Sequence, residues 1–280
     1  MKRQILFVSM LAFAGSASAL VVTPTNDGGV LANAITGTGV TIDASTINYV
    51  GGDGQAGLFT DGLSSGIGIE SGIILTSGLA GLAEGPNTAT NATGEFDNPG
   101  DSDLSGLIGG SSTLDANILE FEFSTTSGDL FFEFVFASEE YNEYLDYIDP
   151  FGLFVDGTNY ALAPDGQPIS VGNINCGDTG VDASGPNCDV FNNNAGAVYD
   201  IEYDGFTDVF TASILGLGAG THTMKFAISD ASDGILDSAV FIKAESFSDV
   251  PPTTSVPEPG SLALLGLGLL GFGFTRRKRN

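Results

Sequence analysis

Between Leu20 and about Val250 no stretch of the chain sustains a helical repeat. Apolar residues there alternate with polar ones or gather in short runs, and 34 of the chain's 40 glycines, with clusters of Asn, Asp and Ser, break the runs apart. A chain punctuated this often has to bury its apolar side chains through short strands, which predicts an all-β fold, a sandwich of jelly-roll type. Leu119-Glu120-Phe121-Glu122-Phe123 alternates as a strand with one wet face. After a turn at Ser127-Gly128-Asp129, residues 130–137 read as a buried strand with Phe132, Phe134 and Phe136 on one face and Phe131 and Val135 on the other. The two segments are expected to form a hairpin entering the core. Further strands are expected over 73–76, 152–155, 209–214, 223–228 and 239–247, and one short helix over 29–35 behind an Asn26 or Asp27 cap.

Charge restricts the partners. Of 35 acidic residues only Glu258 lies outside this stretch, and its only basic residues are Lys225 and Lys243, a net charge of about −32 with His222 neutral. Such a surface repels nucleic acid and attracts cations, although acidity also serves plain solubility.

The two ends read differently. Lys2 and Arg3 precede an apolar run from Ile5 to Ala14, and Ala17-Ser18-Ala19 closes it, the order of a cleaved secretory signal over 1–19. An ectodomain over 20–250 follows, and then a linker over 251–260 carrying Pro257-Glu258-Pro259. An apolar helix over 261–275 and a basic tail over 276–280 with Arg276, Arg277, Lys278 and Arg279 complete the pattern. Basic residues stay cytoplasmic, so the acidic domain is expected outside the membrane. Gly266, Gly268 and Gly271 have the spacing of a dinucleotide loop, but the run is uniformly apolar and lacks the strand, amphipathic helix and acidic residue such a loop needs.

Within the domain, the segment 134–157 runs from a buried strand into a loop with Glu139, Glu140, Glu143, Asp146 and Asp149, and a second cluster holds Asp230, Asp233 and Asp237. Ca²⁺ takes six to eight oxygens, so a site would be assembled across both loops, with Glu139, Glu140, Asp146, Asp149, Asp230, Asp233 and Asp237 as candidate ligands. Asp and Ser capping their own turns is the competing use of the same residues. Tyr141, Tyr144 and Tyr147 form a tyrosine cluster that could contact glycan, or pack at a loop edge. Cys176 and Cys188, in a Gly/Asp/Asn-rich stretch of an exported chain, are expected to be disulfide-bonded.

The inventory argues against most enzymes. His222 is the only histidine and no Gly-x-Ser-x-Gly elbow accompanies it, and conventional His/Cys zinc sites are excluded by count. The enzymatic alternative is a glycosidase using a carboxylate pair that includes Glu139 or Glu140.

VPEPGSLALLGLGLLGFGFTRRKRN resembles the PEP-CTERM sorting signal, with Pro257-Glu258-Pro259, a Gly/Leu-rich helix and a basic cluster in order. The resemblance implies recognition and cutting by an exosortase in a Gram-negative bacterium. FASEEYNEY, YDGFTDVFTA (203–212), ISDASDGILDSAVFIKAESF (228–247), and the segments 72–78 and 115–121 resemble the choice-of-anchor L domain. That resemblance implies a surface domain whose relatives differ in their mode of attachment. The expectation is therefore a non-enzymatic protein, reaching the cell surface or extracellular matrix through an inner-membrane intermediate. It would mediate adhesion or exopolysaccharide association, with Ca²⁺ as the one candidate cofactor.

Overall fold

The computed structural model describes residues 19–252. The expected signal segment up to residue 18, Pro257-Glu258-Pro259, the apolar helix over 261–275 and Arg276, Arg277, Lys278 and Arg279 lie outside them.

Among the described residues the strands are, in chain order, β1 (Val21–Pro24), β2 (Val40–Ile42), β3 (Asn48–Val50), β4 (Ala56–Thr60), β5 (Gly72–Thr76), β6 (Thr113–Thr125), β7 (Leu130–Ser138) and β8 (Pro150–Val155). They continue as β9 (Thr158–Asn159), β10 (Ile169–Ser170), β11 (Phe191–Asn193), β12 (Gly205–Thr207), β13 (Phe210–Ile214), β14 (His222–Ala231) and β15 (Ser238–Lys243). Three short helices join them: α1 (Gly28–Ile35), α2 (Gly62–Ser65) and α3 (Ser102–Leu107). Asp27 is the cap of α1, its carboxylate accepting from the Gly29 and Val30 amides at 2.9 and 3.1 Å.

The strands form two antiparallel sheets. Sheet 1 runs β1-β4-β5-β15-β7-β12-β11, with β13 also on β7, and sheet 2 runs β10-β8-β14-β6-β2, with β3 on β6 and β9 on β8. The expected strands at 73–76, 152–155, 209–214 and 223–228 fall in β5, β8, β13 and β14. The one expected at 239–247 is shorter, because β15 stops at Lys243 and the chain turns to drive Phe247 into the core.

The expected hairpin is corrected. β6 pairs with β14 in sheet 2, whereas β7 pairs with β15 in sheet 1. Each strand carries a row of large apolar side chains, Leu119, Phe121 and Phe123 on one and Leu130, Phe132, Phe134 and Phe136 on the other. Side-by-side pairing would leave both rows needing a cover, but placing the strands in facing sheets lets the rows cover each other. Phe247 sits at their centre, its ring 4.7 Å from Phe132, 5.0 Å from Phe123 and 5.6 Å from Phe121.

Around β5, β7 and β15 sheet 1 is buried on both faces. Even-numbered residues of β7 and β15, such as Phe136 and Val240, point between the sheets. Odd-numbered ones, Val135, Ala137, Ala239 and Phe241, enter a second core closed by Ile67, Ile69, Ala80 and Ile201. The Cys176–Cys188 disulfide is formed, with Cα atoms 4.7 Å apart, in the excursion between β10 and β11.

Candidate cation site

Because the strands are antiparallel, the ends of β5, β7 and β14 and the starts of β6, β8, β12 and β15 lie at one end of the sandwich. An acidic residue stands at or beside all but one of these positions. Glu139 and Glu140 follow β7, Asp230 is the penultimate residue of β14, and Asp149, Asp204 and Asp237 immediately precede β8, β12 and β15. Asp115 lies just inside β6. Glu139, Glu140, Asp115, Asp149, Asp204 and Asp230 are each 1% exposed, and Asp237 2%.

Glu139 and Glu140 follow the last residue of β7 and differ in their charged neighbours. Those of Glu140 are Asp149 and Asp233. Those of Glu139 are Asp204, Glu202 and Asp237.

Few of the oxygens have donors. The Ala231 amide and the Ser238 hydroxyl each donate to Asp149 at 2.8 Å, and the Gly94 amide donates to Asp237 at 2.8 Å. Both oxygens of Glu139 and of Asp230, and one each of Glu140, Asp204, Asp233 and Asp237, are buried without a hydrogen-bond partner. The Ala92 amide and the Ser77 hydroxyl lie close enough to Glu139 and Asp230 to favour the charged forms, but neither reaches hydrogen-bond geometry. Each such orphan costs about 1–3 kcal/mol, and more when charged.

The electrostatics point the same way. Burial, reinforced by Asp204, Glu202 and Asp237, pushes Glu139 up to about 9. Burial with Asp149 and Asp233 takes Glu140 to about 9, and burial raises Asp237 to about 7 and Asp204 to about 6. Asp149 and Asp230 are both raised, by burial above all and also by neighbouring aspartates.

Nothing basic in the described chain relieves this charge. Lys225 Nζ is held by Asp101 and Asp103 at 2.7 and 2.6 Å, Lys243 by Glu133, and His222 Nδ1 by Asp156 at 2.7 Å. These three are the only basic side chains among the described residues.

A strap crosses this end, and acidic side chains hold it. Asn87 Nδ2 donates to Asp204 at 2.7 Å, the Thr88 and Ala89 amides to Glu202 at 3.1 and 2.7 Å, and the Phe96 and Asn98 amides to Asp115. Gly78 passes so close to Asp237 that a Cβ there would collide with its carboxylate.

Six of the seven expected ligands, Glu139, Glu140, Asp149, Asp230, Asp233 and Asp237, therefore share one end of the sandwich. Asp146 is exposed on the β7–β8 loop and lines a separate depression with Tyr144, Tyr147 and Asp178. Tyr141 is corrected as a glycan contact: its ring is fully buried, 4.7 Å from Phe191. Tyr144 and Tyr147 are 47% and 36% exposed and meet edge to face at 6.3 Å. They border a small hollow with Glu140, Asp233, Ile235 and Leu236.

Residues 22–248 match the choice-of-anchor L domain. The chain belongs to the choice-of-anchor L family. Residues 255–278 match the PEP-CTERM protein-sorting motif, which directs exported proteins to the cell surface of Gram-negative bacteria by an exosortase-dependent route. No curated protein and no solved structure matches the chain.

Sequence reasoning missed Asp115, Glu202 and Asp204 of this choice-of-anchor L domain. Each lies outside the two dense clusters, among apolar neighbours such as Leu114 and Ala116 or Ile201 and Tyr203. Their available signal was the one shared by Asp149 and Asp237, an acidic residue at the border of a buried strand.

Among the described residues, no three His, Cys, Asp or Glu side chains already stand as a metal-binding group. The donor chemistry nevertheless suits a hard cation: carboxylate and hydroxyl oxygens, no soft ligand, and buried lone pairs without partners.

Proposed function

We propose that the protein is a non-enzymatic surface component whose acidic end binds Ca²⁺ and thereby orders the loops through which the domain associates with exopolysaccharide. The observation that carries this reading is the set of buried, unpartnered carboxylate oxygens in a domain whose every basic side chain is engaged elsewhere. A divalent cation answers both deficits, supplying the countercharge and occupying the lone pairs. Binding rather than glycoside hydrolysis is favoured because Glu139 and Glu140, the acids a glycosidase would present to a sugar, are each only 1% exposed. Tyr144 and Tyr147 supply the exposed aromatic edges beside the acidic hollow that a pyranose ring would stack upon.

Thermal unfolding of the purified protein, metal-free and in millimolar Ca²⁺, tests the reading. Calcium at a hundred times its dissociation constant adds about 2.7 kcal/mol, which raises Tm by roughly 5–10 °C in a domain of this size. Retention on exopolysaccharide beads should appear in Ca²⁺ and disappear in EDTA. An unchanged Tm would overturn the cation, and retention indifferent to EDTA would overturn its link to binding.

A further inference from the structure

We infer that the hollow beside Tyr144 and Tyr147 binds a primary ammonium, and that the polysaccharide it selects is one built of amino sugars with free amines. This deepens the exopolysaccharide reading, on which it rests, by naming the class of sugar.

The hollow, about 110 Å³ in volume, lies between Glu140, Tyr144, Tyr147, Asp233, Ile235 and Leu236. Its two tyrosine rings meet edge to face, 6.3 Å apart and inclined at 81°. Rings set nearly at a right angle form a corner in which a cation can approach both, and a ring face attracts an ammonium within about 6 Å of its centre. Two carboxylates complete the surround. Glu140 is 1% exposed and its Oε2 has no hydrogen-bond partner, and Asp233 Oδ1 is also buried and unpartnered. An ammonium brings three donors and a full positive charge to these two acceptors. It also supplies the countercharge for Glu140, which burial with Asp149 and Asp233 holds up at about 9.

The lining separates this ligand from others. Two carboxylates fall short of the six to eight oxygens that Ca²⁺ takes, and the apolar walls suit a cation carried on carbon. An anionic sugar would add negative charge where no basic side chain can receive it, because Lys225, Lys243 and His222 are held by Asp101 and Asp103, Glu133 and Asp156. The walls are in place before a ligand arrives. The Tyr144 amide donates to the Glu140 carbonyl and the Tyr147 amide to the Tyr144 carbonyl, both at 3.0 Å, and the Leu236 amide donates to the Thr93 hydroxyl at 2.9 Å. The same two rings also border the second depression, of about 230 Å³, with Glu143, Asp146 and Asp178. A polymer with an ammonium on successive rings can serve acidic hollows on both sides of the tyrosine pair, whereas one lysine side chain of a protein serves a single hollow.

The test is isothermal titration calorimetry of the whole protein, in saturating Ca²⁺ and at physiological ionic strength. The ligands are a glucosamine hexasaccharide, its fully N-acetylated counterpart and a glucose hexasaccharide. The glucosamine oligomer should bind about tenfold tighter than either of the others. Tyr147→Ala and Glu140→Gln should abolish that preference and Tyr147→Phe should keep it. Glu70→Gln, which removes an exposed charge just before β5, should leave it unchanged. A preference that survives Tyr147→Ala and Glu140→Gln would be the general attraction of a cationic polymer to an acidic protein, and would overturn the site. A lysine hexapeptide bound as tightly through the same residues would overturn the saccharide assignment in favour of a protein ligand. Equal affinity for the three oligomers, or retention on exopolysaccharide without binding of the glucosamine oligomer, would overturn the ammonium inference and leave the exopolysaccharide reading standing. Binding of no oligomer together with no retention on exopolysaccharide would overturn both.

Discussion

Gly78 shows how closely this end of the molecule is built. It follows β5 and Ser77, and its backbone runs against the carboxylate of Asp237, where any Cβ would collide. Gly78→Ala should destabilise the protein by about 1–3 kcal/mol, since the obstruction is a buried carboxylate already held by the Gly94 amide. Chemical denaturation should show the loss, and added Ca²⁺ should recover less than in the unmodified protein because Asp237 has been displaced. The same scale explains what could be read in advance. Asp149, Asp230 and Asp237 were legible because they lie in acid-rich loops between strands. Asp115 was not, since a lone acid among apolar residues gives no sign of which loop will fold over it, and Glu202 and Asp204, which with Asp200 alternate with Ile201 and Tyr203, read as the wet face of an ordinary strand. Tyr141 was misread for a related reason: spacing placed it with Tyr144 and Tyr147, but the turn after β7 rotates it inward against Phe191.

At the scale of elements, alternation and turn residues located β5, β7, β8, β13 and β14, and the Asp27 cap located α1. Pairing was less visible. A short turn between two apolar strands suits a hairpin, yet the linkage from β6 to β7 is an arch between sheets, because facing rows of phenylalanine bury more surface than adjacent ones. Phe247 closes that arch from beyond the end of β15, touching Phe121, Phe123 and Phe132. Phe247→Ala should cost about 3–5 kcal/mol, the range for deleting a fully buried aromatic ring. Phe247→Leu, which keeps most of the volume, should cost less than half as much. Equal losses in guanidinium titrations would mean that Phe247 does not hold the two sheets together.

For the whole molecule, 34 acidic groups against two lysines set a pH dependence that calcium should remove. Without metal, Glu139 and Glu140 are held up to about 9, against an ordinary 4.5, and Asp237 to about 7, all chiefly by burial. A group raised in the folded state binds more protons folded than unfolded, so its stabilising contribution is complete below its ordinary value and is lost as pH rises through the folded one. Metal-free protein should therefore lose stability from pH 5.5 to pH 8, on the order of 1 kcal/mol per pH unit for each such group while it stays protonated in the folded state. Surface carboxylates are almost fully ionised throughout that window and contribute little to the slope. His222→Asn removes the one histidine from the comparison. In saturating Ca²⁺ the ion replaces the protons and the carboxylates are ionised in the folded state at both pH values, so the slope should shrink several-fold. A stability that is flat from pH 5.5 to 8 without metal would mean that these acids are already ionised, and relieved by some other countercharge, before any cation arrives.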